Sequence, residues 1–137
     1  MEYETRGKIQ FRDRAKQIID FSGIRYQQIT PTDIDGLIEY HGIAFLIYEY
    51  KLKGAKMPYG QELALTRLVD GLQKSGKMAA LLLCEHDVRD PNDDINGADA
   101  KVIKIYYCKN WYSDMKRRTV KEVTNSFIEF VNKQTPF

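Results

Sequence analysis

The sequence predicts an α/β domain, a mixed central β-sheet flanked by α-helices. Three observations predict it. The segments Tyr59 to Leu72 and Lys116 to Asn132 repeat apolar residues at the helical period. The segments Ile43 to Lys51 and Met78 to Cys84 are nearly unbroken runs of aliphatic and aromatic residues, as expected of strands covered on both faces. One of the two helices stands between these runs, and a strand–helix–strand crossover joins parallel neighbours.

Taken in order, Lys8 to Phe21 reads as a helix with Phe11, Ala15, Ile18, Ile19 and Ser22 on one face, and Gly23 is a natural stop. Ile24 to Ile29 reads as a short strand. Asp33 to Tyr40 alternates as a strand does, and His41-Gly42 is a turn. Lys53 to Pro58 forms a loop. The helix Tyr59 to Leu72 has a core stripe of Leu65, Leu68, Val69 and Leu72, with Gly71 and Gly76 bracketing its end. Met78 to Cys84 is a central strand and Lys101 to Cys108 another. The last helix, Lys116 to Asn132, turns Val120, Val123, Phe127, Phe130 and Val131 inward. The expected order is therefore α-β-β-β-α-β-β-α.

The 137 residues fit one domain over 1–137, with 43% hydrophobic residues and enough aromatic area (nine Tyr, six Phe) to exclude disorder as the main state. No apolar run approaches the roughly 18–20 residues of a membrane span, and Met1 to Phe11 lacks an apolar signal core. Two cysteines, Cys84 and Cys108, supply neither a disulfide framework nor a four-ligand zinc site, and both read as small core residues of a cytoplasmic protein. The formal charge of +2 is unevenly placed. Glu85 to Asp99 holds six acids and one base, Arg89, so the remaining 20 bases and 13 acids give the body +7. Pro91, Asn92, Asn96 and Gly97 mark that acidic stretch as a loop, and it lacks the spacing of a calcium-binding loop.

The chemistry concentrates on two strands. Glu49 and Lys51 share a face with Ile43, Phe45 and Ile47, while Asp33 and Asp35 share one with Leu37 and Glu39. A three-residue hairpin loop, Tyr40-His41-Gly42, brings the acids to one face with Asp33 opposite Glu49. A shift of the loop by one residue puts Asp35 opposite Glu49, and a two-residue turn separates the acids. Carboxylates held close on an apolar strand repel one another unless a cation sits between them, and Mg²⁺ does so while keeping positions for water and phosphate. Lys51 can orient the attacking water or stabilise developing charge. Gln61 extends the stripe of Leu65, Leu68 and Leu72 one turn back, where it can reach the same place.

The runs "PTDIDGLIEYHGIAFLIYEYK" and "PYGQELALTRL" resemble the PD-(D/E)XK nuclease superfamily, whose restriction-endonuclease-like and Holliday-junction-resolvase-like core spans roughly Lys8 to Leu83 here. Asp35 matches the family's Asp, Glu49-Tyr50-Lys51 its (D/E)-x-K, and Gln61 the helix Gln of several branches. The resemblance implies a Mg²⁺- or Mn²⁺-dependent nuclease acting on nucleic acid, DNA foremost. Asp35 and Glu49 are the implied metal ligands, with Lys51 and Gln61 completing the catalytic set. Many members carry a further acid on the first helix, for which Asp13 and Asp20 are the candidates.

Lys53 and Lys56, beside Lys51, and Lys116, Arg117 and Arg118, read at the start of the last helix, are the candidate phosphate contacts. Trp111 and Tyr112 are candidates for base stacking. His41 reads as a turn residue. Duplex cutting or junction resolution calls for two sites, hence a homodimer. The alternative is a catalytically silent module of the same fold that binds nucleic acid or a protein.

Overall fold

The computed structural model describes residues 7–114 and 116–133, and its contacts fall into two units, Met1–Thr32 and Asp33–Phe137. In the first unit, α1 (Arg12–Ala15) is a single helical turn with no buried residue, and Tyr26 and Ile29 form an isolated antiparallel bridge. Of the helix expected over Lys8 to Phe21 only this turn forms, and of the strand expected over Ile24 to Ile29 only that bridge. An amphipathic helix of that length is marginal without a surface for its apolar stripe, and here Ile18 is 92% exposed.

The second unit runs β1 (Gly36–Tyr40), β2 (Ala44–Leu52), α2 (Tyr59–Lys74), β3 (Met78–His86), β4 (Lys101–Tyr107), β5 (Asn110–Ser113) and α3 (Val120–Lys133). The strands form one sheet in the order β1-β2-β3-β4-β5. β2 and β3 are parallel, as the crossover through α2 predicts, and the other pairs are antiparallel. The α/β class with a mixed sheet and helices is therefore observed.

Alternation along β2 divides the core in two. Ala44, Leu46 and Tyr48 join Ala80, Leu82 and Val102 beneath Val120, Val123, Phe127 and Val131 of α3. Ile47 joins Ala79, Leu81 and Tyr106 beneath Leu65 and Val69 of α2, with Leu72 packed beside them. Leu68, expected in that stripe, is 40% exposed. Helices thus cover opposite faces of the sheet.

The β1–β2 loop is His41-Gly42-Ile43, one residue later than expected. His41 and Gly42 both take left-handed conformations, and Ile43 N donates to Tyr40 O at 3.0 Å. This loop pairs Tyr40 with Ala44 and Gly36 with Tyr48. A β carbon on Gly36 would stand 3.3 Å from the Tyr48 ring, so this glycine admits an aromatic side chain of its own sheet.

The C-terminal third departs further from expectation. Cys108 and Lys109 both have positive φ and make a two-residue turn into β5, a strand absent from the expected element order. Cys108 is consequently exposed, whereas Cys84 is buried as expected. Tyr106 packs toward α2 and Tyr107 toward α3, so neither ring is simply shed to solvent. α3 begins at Val120, after a reciprocal cap: Thr119 N donates to Glu122 Oε1 at 2.9 Å and Glu122 N to Thr119 Oγ1 at 3.1 Å. Lys116, Arg117 and Arg118 therefore precede the helix.

Candidate two-carboxylate site on the second strand

The hairpin register decides which acids meet. Carried one residue past Gly36, the observed pairing sets Asp35 opposite Glu49. Asp35 Oδ2 accepts a hydrogen bond of 2.8 Å from the backbone N–H of Tyr50, beyond the last ladder pair of β1. The arrangement with Asp33 opposite Glu49 is thus corrected, and Asp33 is exposed ahead of β1.

Glu49 is only 2% exposed on a strand otherwise buried in apolar residues. Its Oε1 lies 3.0 Å from Lys51 Nζ, and Lys51 Nζ donates to Gln61 Oε1 at 3.0 Å. Period-two alternation puts Glu49 and Lys51 on the α2 face, and the first turn of α2 delivers Gln61 to them. Three of the four expected catalytic residues therefore form one connected chain, and Asp35 stands beside its buried end. Glu49 Oε2 is buried and accepts no hydrogen bond.

Electrostatics follow from that burial. Desolvation pushes the Glu49 carboxyl above its usual range; Lys51 opposes the shift, and the neighbouring Asp35 charge reinforces it. On the α3 face, burial pushes the Cys84 thiol up to about 12, with the charges of Asp35 and Glu49 adding to the effect. Burial likewise raises the Tyr50 phenol. Cys84 is accordingly a protonated core residue rather than a nucleophile.

The fit to a divalent cation can be judged on the donors. Two adjacent carboxylates, one with an orphaned buried oxygen, match a hard ion that draws its other ligands from water and substrate. Among the described residues, no group of three or more His, Cys, Asp or Glu comes together to hold a metal ion. Asp13 and Asp20 lie in the first unit, where Asp20 accepts from Ser22 N at 2.9 Å.

The basic residues are placed unequally. Lys53 and Lys56 are exposed just past β2, and Lys116 and Arg117 are exposed ahead of α3. Arg118 is engaged, its Nε 3.1 Å from Asp114 Oδ1. Trp111 packs against Tyr106, with Lys104 Nζ 4.3 Å from its ring centroid, while Tyr112 is 51% exposed. His41 occupies the hairpin turn, as expected.

Two participants went unread in the sequence. Tyr50, the middle residue of Glu-x-Lys, holds Asp35 by its N–H and Gly97 O by its hydroxyl at 2.9 Å. Glu85, expected in the acidic loop, lies within β3, which pairs it with Lys51 on one side and Lys101 on the other. The parallel pairing of β2 with β3, had it been extended, would have found Glu85. Comparison of the chain with protein-family models, curated proteins and solved structures finds no match.

Proposed function

We propose that the protein is a metal-dependent nuclease of the PD-(D/E)XK kind, hydrolysing phosphodiester bonds in nucleic acid, DNA foremost. The observation that carries the reading is the buried, orphaned Oε2 of Glu49 beside Asp35, on a strand that also delivers Lys51. Lys51 pairs with one oxygen of Glu49, and a bound cation would offset the cost of burying the other, which has no partner. Asp35 and Glu49 would hold Mg²⁺ or Mn²⁺, which when bound supplies charge neutralisation at the scissile phosphate.

The chain's own groups do the rest. Glu49 and Gln61 fix the Lys51 ammonium between them, so it meets the substrate already oriented. From there it orients the attacking water and stabilises the charge that develops on the phosphoryl oxygens. The N–H of Tyr50 holds the Asp35 carboxylate in place. Lys53 and Lys56 extend the positive edge toward neighbouring phosphates. A second copy would supply the second cut of a duplex, which makes a homodimer the expected working form.

Linear, single-stranded and branched DNA incubated with Mg²⁺ or Mn²⁺, against an EDTA control, tests the reading. Glu49→Gln and Lys51→Ala should each lower cleavage about 100-fold or more. If the wild type cuts nothing, or either variant cuts as well as it does, catalysis is lost as an explanation. DNA binding without cutting would then favour the silent module, a reading consistent with only two carboxylates meeting among the described residues.

A further inference from the structure

A groove of about 830 Å³ opens beside the carboxylates rather than over them. Glu85 is shared between groove and site, since it lines the groove and is the ladder partner of Lys51. Lys53, whose N–H donates to His86 O at 2.8 Å, also lines the groove. The groove therefore begins where the candidate site ends, and its volume is that of a small-ligand cleft.

Its lining distinguishes among ligands. Val88, Ile95 and Ile103 supply apolar surface, and Ile95 and Ile103 are 45% and 40% exposed. Ile103 stands there because β4 carries one extra residue opposite Leu83 and Cys84. Three cations, Lys53, Lys101 and Arg117, are set against Glu85 and Asp99, together with Asp87 and Asp114, which are paired with Arg89 and Arg118. With two of the four acids already paired, that balance disfavours a run of several phosphates and leaves charge for one. Apolar side chains and cations lining one groove suit a base that keeps its own phosphate.

The wall is anchored to the site. The acidic loop is held by the Tyr50 hydroxyl on Gly97 O, and Tyr50 N–H holds Asp35. Lys121 N donates to Ala98 O at 3.0 Å, tying the same loop to α3.

We propose that this groove takes a single unpaired nucleotide next to the scissile phosphate, its base on Val88, Ile95 and Ile103 and its phosphate at Lys53, Lys101 and Arg117. The proposal rests on the nuclease reading and narrows its substrate to nucleic acid with an unstacked base, in a single strand, a flap or a branch. A fully paired duplex keeps its bases stacked and leaves those three apolar residues uncovered.

The test needs no cleavage. A short single strand carrying 2-aminopurine, and the same strand in a duplex, are titrated with the full chain in EDTA. The single strand should bind at least tenfold more tightly, with a rise in fluorescence as the base leaves its neighbours. Ile95→Asp and Ile103→Asp, at half-exposed positions, should lose about tenfold of that affinity while keeping the wild-type denaturation midpoint. In a second arm, adenosine monophosphate should shift the amide resonances of Val88, Ile95 and Ile103, and inorganic phosphate alone should not. Equal affinity for strand and duplex, unaltered binding by both variants, or unmoved resonances would each overturn the proposal. The two readings fail separately. Absence of cutting with Mg²⁺ leaves the EDTA result standing, and lost groove binding with cutting intact removes only the groove.

Discussion

The two faces of β2 begin alike and end differently. On the α3 side, Ala44, Leu46 and Tyr48 are buried in succession, and the partly buried Tyr50 continues the packing with its hydroxyl on Gly97 O. On the α2 side, Phe45 and Ile47 enter an apolar cluster, and then the strand places Glu49 and Lys51. One face carries its core toward the strand end, whereas the other exchanges core for charge under the first turn of a helix. The lesson is that a charged cluster can share a strand with the core, provided that the opposite face holds the strand in place.

The largest expected effect breaks the α3 face. Phe127 is fully buried, and Phe127→Ala should cost about 3–5 kcal/mol in urea denaturation. Leu65→Ala, in the smaller cluster beneath α2, should cost less, about 2–3 kcal/mol. Equal costs would erase the distinction between the faces.

A smaller effect comes from Glu49. Its carboxyl is raised by burial, so the stability linked to it is complete below the ordinary glutamate range and is lost as pH rises through the folded value. Glu49→Gln should therefore stabilise the metal-free protein at neutral pH, and by less as pH falls into the ordinary glutamate range. Denaturation midpoints compared in EDTA would show that gap widening with pH, and Mg²⁺ should narrow it at neutral pH. A gap independent of pH would mean that Glu49 is not the strained group.

The smallest effect sharpens the role of Tyr50, which ties the faces together. Tyr50→Phe should cost about 1 kcal/mol or less through loss of the hydrogen bond to Gly97 O. Hydrogen exchange should quicken at Ala98 and Lys121 and stay unchanged at Leu46, whose side chain lies deep in the core. Unchanged exchange at Ala98 would show that the loop is held without Tyr50.

The parts legible in the sequence share a cause. β2, α2 and β3 carry long, strongly periodic or unbroken apolar patterns, and the crossover between them dictates a parallel pair. Glu49, Lys51 and Gln61 were readable for the same reason, because alternation and helix spacing place them on one side. The first helix was not legible because an apolar stripe of that length holds a helix only where a surface covers it, and α1 buries nothing. β5 has only four residues, too few for a period to show, and its turn uses Cys108-Lys109 where Asn-Gly would have announced it. The start of α3 had a signal that went unused: Thr119 followed three residues later by Glu122, ahead of an apolar stripe. The choice between Asp33 and Asp35 lay in one residue of loop position, which composition does not encode.

That hairpin tip also bears on how the protein can change over time. Substitutions in the segment between Tyr40 and Ala44 alter a surface turn, but gain or loss of a single codon there would reverse the side of the sheet on which the incoming strand presents Asp35. The pairing of Asp35 with Glu49 is thus inherited through the spacing of residues far from either carboxylate. A lineage keeping the site is free to vary the letters at this tip and is bound to keep their number.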